Sequence, residues 1–140
     1  MSTADDTLQF SAMLSEFVGR TAGVEGVLLV SSDGMLVAAS ASLDRASTES
    51  VAATISGLLS LGRGAASALD GEALGTVVVE MRAGVMLVAP SSESSAIAVL
   101  AGSDSDLGIV TYEMARLVDR ARSVLGPALL AELRQQVLLT

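Results

Sequence analysis

The residues of this chain whose type and spacing could support chemistry are few. Asp104-x-Asp106 sets two carboxylates two residues apart, a spacing found in cation-binding loops. An EF-hand counted from Asp104 needs a glutamate at its twelfth position, and Ala115 stands there. The pair is therefore read as the acidic start of a helix. Gly62-Arg63-Gly64 has the glycine content of a phosphate cradle, but such loops follow a strand. Here the triplet falls inside a helical pattern, so the glycines are read as close packing. Arg45 and Arg63 lie nearest that same helix. A guanidinium supplied in trans speeds phosphoryl transfer by about 10³ to 10⁵. They are candidate partner-binding residues, read as solvated arginines rather than catalytic fingers. Glu80 and Glu113 are of the right type for an acid–base pair, yet no spacing brings them together.

What the sequence lacks narrows the choice further. There is no His and no Cys, which excludes the usual zinc sites, the serine and cysteine triads and any disulfide. All eight cations are arginine. Without lysine no Walker A loop can reach a phosphate. The net charge is −8, with two Phe, one Tyr and no Trp. Such a chain repels a phosphate backbone and has no stacking platform, so nucleic acid is excluded as a partner. Hydrophobic residues make up 51% and charged residues 17% of 140 positions, against about 25% charged in an average domain. A spanning helix needs about 18 near-continuous apolar residues, and the longest runs, Gly26 to Val30 and Ala96 to Ala101, are strand-sized. The reading is thus one domain that inserts into no membrane and buries part of its surface against a partner. The acidic start MSTADDTLQF carries no export signal, so the cytoplasm is the default.

The elements follow from periodicity. Residues 1–7 read as a flexible start. Leu8 to Arg20 carries Phe10, Met13, Leu14, Phe17, Val18 and Thr21 at helical spacing, ended by Gly23. Val24 to Val30 and Met35 to Ser40 form a hairpin, with Asp33-Gly34 predicting a type I′ turn in which both residues take positive φ. The apolar runs lack clean alternation, which places layers on both faces of the sheet. After caps at Asp44, Ser47 and Thr48 a long helix reaches Leu69. Val51, Ile55, Leu58, Gly62, Ala65 and Leu69 are its expected sheet-facing stripe. A second stripe, Ala53, Gly57, Ser60, Gly64 and Ser67, holds only small residues. Glycine inside a helix costs about 1 kcal/mol against alanine, so close approach of another helix is the reason sought. Strands are predicted at Thr76 to Met81, Val85 to Ala89 and Ala96 to Ala101, with Pro90 and SSESS as a solvated loop. A helix from the Ser103–Asp106 cap to Leu125 carries Leu107, Val110, Met114, Leu117, Ala121 and Val124 on one face. Gly126-Pro127 stops it, and a short amphipathic tail follows with Leu130, Leu133 and Val137 on one side.

The order α-β-β-α-β-β-β-α, with the phrases VSSDGMLVAAS (30–40), VVVEM (77–81) and SDSDLGIVTYEMARLV (103–118), resembles the roadblock/dynein light-chain family, in its actinobacterial small-GTPase-regulator branch. The likeness spans residues 8–125 and leaves 126–140 as an added tail helix, either a dimer strap or a docking segment. It implies an α+β, profilin-like three-layer sandwich: a five-stranded antiparallel sheet, one long helix on one face and two on the other. It further implies a homodimer whose third strands pair across the two-fold axis while the long helices pack together. Thr76, Val77, Val78, Val79 and Glu80, with Ala53, Gly57, Ser60, Gly64 and Ser67, are then the dimer interface. An apolar strand left bare is an aggregation hazard that such pairing removes.

By the same resemblance, bacterial members act beside Ras-like small GTPases and sensor-kinase-like proteins. The best-known case accelerates hydrolysis by repositioning the GTPase's own residues, without an arginine finger. The chain is thus expected to be a non-catalytic regulatory subunit, with no catalytic residue, cofactor or metal of its own. Two alternatives stay open: a structural adaptor that leaves GTP turnover untouched, and a small-ligand sensor holding its ligand between sheet and helix.

Overall fold

The structure, a computed structural model, describes residues 3–40 and 42–139. Met1 and Ser2 of the predicted flexible start lie outside them. Among the described residues four helices and five strands follow one another as α1 (Thr3–Arg20), β1 (Val24–Ser31), β2 (Leu36–Ala39), α2 (Arg45–Ala68), β3 (Val77–Met81), β4 (Gly84–Ser92), β5 (Ser95–Gly102), α3 (Leu107–Val124) and α4 (Pro127–Leu139). The strands form one antiparallel sheet in the order β2-β1-β5-β4-β3. β5 and β1, buried nearly throughout, lie inside the sheet, and β3 and β2 are its edges.

The sheet divides the apolar interior in two. On one face Phe10, Leu14 and Phe17 of α1 and Val110, Met114 and Leu117 of α3 pack on Val27, Leu29, Ile97 and Val99. On the other, Ala52, Ile55 and Leu59 of α2 pack on Leu28, Val30, Met86 and Ala98. Period-two alternation sends neighbouring strand residues to opposite cores, and this is why the strands read as continuous apolar runs. Arg20 ties α1 to α3, its guanidinium 3.3 Å from Glu16 and 3.6 Å from Glu113.

Local chemistry sets the boundaries. Asp44 caps α2, accepting from Ser47 N at 3.0 Å and Ser47 Oγ at 2.9 Å. These bonds hold its carboxyl below the usual carboxylate range. Asp106 caps α3, accepting from Gly108 N at 3.0 Å and Ile109 N at 3.2 Å, as its reading as a helix-start acid requires. Gly23, at φ 88, takes the left-handed turn that releases the chain from α1 into β1.

Several details differ from the sequence reading. α1 begins at Thr3 rather than Leu8. In the hairpin only Gly34 has positive φ, at 84°. Gly34 N donates to Ser31 O at 3.0 Å and Ser31 N to Met35 O at 2.9 Å, the pattern of a tight turn closed by a left-handed glycine rather than type I′. The Ser31 hydroxyl donates to the Asp33 carboxylate and lowers its pKa, helped by the charge of Arg134. The loop read at 90–95 is mostly strand. β4 continues through Pro90, which sits opposite Ala96 beside a register shift, and Ser91 and Ser95 are buried. Their hydroxyls lie 2.8 Å apart, and those of Ser92 and Ser95 2.5 Å apart. The serines satisfy one another, so the sheet can bury them.

Candidate functional site

The sequence reading places its interface residues on α2 and β3, and the structure puts these two elements side by side. Val77 and Val79 point to the α2 side of the sheet and pack at the margin of the core beneath that helix. Val78, opposite Leu87, faces the α1/α3 side and is 50% exposed. Thr76, Glu80 and Met81 are exposed too. β3 pairs with β4 alone, from Val77 opposite Val88 to Met81 opposite Gly84. Its other edge therefore turns a row of backbone donors and acceptors outward.

The helix beside it separates its glycines by role. A Cβ added at Gly62 would stand 3.0 Å from both Leu74 Cδ2 and Val77 Cγ2. Gly62 thus lets α2 settle onto β3 within its own chain. A Cβ at Gly57 or at Gly64 would meet nothing within 4 Å, so packing inside the protomer gives neither glycine a reason to be there. Ala53, Gly57, Ser60, Gly64 and Ser67 are all exposed, which makes a smooth strip along α2 whose first residue, Ala53, lies against Gly34 of the hairpin.

The predicted sheet-facing stripe holds only in its first half. Ile55 is buried, and Val51, Leu58 and Gly62 are half-buried. Ala65 is exposed, and Leu69, the C-cap of α2, is 80% exposed. Ala52 and Leu59, outside that stripe, are buried instead. Sequence reasoning passed over Leu61, which lies one turn after Gly57 and is 74% exposed. A large apolar residue off the sheet-facing stripe, beside small ones, was the available signal. It also passed over Met81, 53% exposed. Met81 borders an apolar groove of about 240 Å³ between the start of α2 and the sheet, lined chiefly by Leu28, Leu43, Val51, Met86 and Leu100.

The two candidate arginines part company. Arg45 Nε lies 2.9 Å from Glu49 Oε1, and its Nη2 donates to the carbonyl of Val137, so it is engaged within its own chain. Arg63 is exposed on α2 and lines an open cleft with Ser67, Asp70, Glu72 and Arg122. In that cleft Asp70 and Glu72 take positive φ, at 53° and 64°, uncommon for residues other than glycine. Gly62-Arg63-Gly64 lies inside α2, where helix N–H groups bond to their own helix and cannot cradle a phosphate. Glu80 is exposed on β3, whereas Glu113 is paired with Arg20 and Arg116, each at 3.6 Å. The structure does not make them an acid–base pair.

Among the described residues no group of three or more acidic side chains could hold a metal ion. No helix among them is long and apolar enough to cross a membrane. What the arrangement offers is contact: a valine-rich strand edge, a smooth strip on α2 and isolated exposed apolar side chains.

Comparison with known proteins gives this surface a setting. The family model for the Roadblock/LC7 domain matches residues 10–101. A Roadblock/LC7 domain of Streptomyces avermitilis is 35% identical, covers 81% of this chain and 94% of its own, and superposes with a TM-score of 0.75. Another from that organism is 30% identical, with coverages of 80% and 97% and a TM-score of 0.65. Myxococcus xanthus MglB shares the fold at 19% identity, with coverages of 83% and 94% and a TM-score of 0.74. No curated protein matches significantly.

Proposed function

The chain belongs to the Roadblock/LC7 family, and from that premise we propose that it is a homodimeric, non-catalytic regulatory subunit that binds a Ras-like small GTPase and modulates its nucleotide cycle. The observation that carries the reading is the open edge of β3, accompanied by an exposed strip of small residues on α2. Two copies related by a two-fold axis would pair β3 with β3, joining two five-stranded sheets into one. The axis would also bring the α2 strips together, where Gly57 and Gly64 permit backbone contact. The family unit is assigned to residues 8–125, with 126–140 appended to it.

A dimer of this kind builds a platform that no single protomer has, and the GTPase partner follows from the family resemblance. The regulator supplies no arginine finger in this reading. The engagement of Arg45 with Glu49 and Val137 supports that for Arg45, since a finger must reach out to a nucleotide, whereas Arg63 is exposed and is read as a solvated arginine. Modulation acts instead by holding the GTPase's own residues in place.

The test is direct. Purified chain is mixed with small GTPases from the same genome, each loaded with GDP or a GTP analogue, and both binding and hydrolysis are followed. Nucleotide-dependent binding with altered turnover is the expected result. Binding with unchanged turnover would mark a structural adaptor instead. Failure to bind any of them in either nucleotide state refutes the GTPase assignment.

A further inference from the structure

A sheet of this kind ends in two edges, and here one of them has a helix lying against it. The edge opposite β3 is β2, and α4 lies against it. The path of that helix is fixed by its ends. Leu129, Leu130 and Leu133 are buried in the core on the α1/α3 face, whereas Val137 packs against the core beneath α2. Between Leu133 and Val137, about one turn of helix, α4 passes around the outside of β2 from one layer to the other. Two polar ties hold it there. Arg134 Nη1 lies 3.6 Å from Asp33 Oδ2 at the hairpin tip, and Arg45 Nη2 donates to the carbonyl of Val137.

We infer that α4 is an edge guard, which prevents β2 from pairing with a strand of another copy and so closes the assembly at two protomers. Ser40 N donates to Val27 O at 2.9 Å. By the alternation of an antiparallel ladder, the N–H and C=O of Ala39, opposite Leu28, then point away from β1. An outward row of this kind is a template for a further strand. The guard rests on the β3-pairing reading given above. Two copies joined through β3 would carry a β2 edge at each end, and with both exposed, copies could add without limit. A helix serving only to bury apolar area would rest on one face, as α1, α2 and α3 do. α4 turns a corner to lie on the edge.

The experiment uses the full chain. Leu133→Glu with Val137→Glu places a carboxylate at each docking end of α4. Circular dichroism checks that the sheet persists, and light scattering follows mass over a wide concentration range. The unaltered chain should hold the mass of two protomers, while the released variant should grow with concentration. Adding Ala39→Pro, which removes the outward donor and leaves the β1 ladder intact, should return the mass to that of the unaltered chain. A released variant that does not grow overturns the inference. Growth that survives Ala39→Pro overturns it as well, since exposed leucines would then be the cause. If the double glutamate variant unfolds, Arg45→Ala with Arg134→Ala cuts only the polar ties. The mass of this variant should also grow with concentration, and an unchanged mass overturns the inference. An unaltered chain that is monomeric refutes β3 pairing alone, because release of α4 should still add copies through β2.

Discussion

Replacing Gly57 by leucine should move the folded protomer and the assembled dimer in opposite directions. Within the protomer a Cβ at this position meets nothing within 4 Å, so the new side chain enters open space. Leucine is the better helix former by about 0.8 kcal/mol, and the isolated protomer should gain roughly that much. In the proposed dimer the same side chain would land where two backbones approach across the two-fold axis. Overpacking costs about 1–3 kcal/mol per inserted side chain, and symmetry inserts two, for about 2–6 kcal/mol in all. At about 1.4 kcal/mol per tenfold, dissociation should strengthen by roughly 30-fold to more than 10⁴-fold. Sedimentation equilibrium reads the dissociation constant, and thermal unfolding at a concentration where both proteins are monomeric reads the protomer. Gly62→Leu is the control with the reverse signature. Its Cβ starts 3.0 Å from Leu74 and Val77, so it should destabilise the protomer itself by about 1–3 kcal/mol. An unchanged dimer for both Gly57→Leu and Gly64→Leu would refute the reasoning, as would a protomer weakened by either.

Three further outcomes are expected. Val78→Asp sets a like charge on each of two abutting strand edges, and light scattering should show monomer with the thermal midpoint of the protomer little changed, because Val78 is half exposed. The lowered pKa of Asp33 means that its contribution to stability is fully present above the usual carboxylate range and is lost as pH falls through the lowered value. Asp33→Asn should therefore flatten the acid limb of a urea-midpoint profile, by well under 1 kcal/mol for so exposed a group. Asp106→Ala removes the acceptor that Gly108 N and Ile109 N share, and chemical denaturation should show a loss of about 1 kcal/mol.

Much of this fold was legible because burial imposes periodicity. Phe10, Met13, Leu14 and Phe17 recur at helical spacing and are buried where that spacing puts them. Asp44 and Asp106 mark the two helix starts that they cap. The misreadings share a cause, in that composition was taken to decide what only neighbours decide. SSESS reads as solvent-facing until Ser91 and Ser95 are found bonded to each other inside the sheet. Leu69 reads as core by its spacing, but it stands at the C-cap of α2 and is exposed. Asp33-Gly34 named the turn correctly as a turn, and its type is decided by the backbone of Asp33, which does not take the positive φ that type I′ requires. At the candidate site the small stripe of α2 was plain in the sequence, while Leu61 and Met81 required knowing which way the helix and the strand face. The course of α4 around β2 was not legible, since an amphipathic pattern states that a face will be covered and not by what.

The two halves of the interior are unequally roofed. Three helices insulate one side of the sheet, whereas the other relies on α2, which contributes only Ala52, Ile55 and Leu59 as fully buried apolar residues. That thin roof is also the side that a second copy would shelter. Meeting a mate would thus complete the weaker ceiling as well as lengthen the sheet, and a newly made chain would have its softest region exposed until it did. Dilution should loosen α2 before any other element, and abundance in the cell would itself act as a stabiliser.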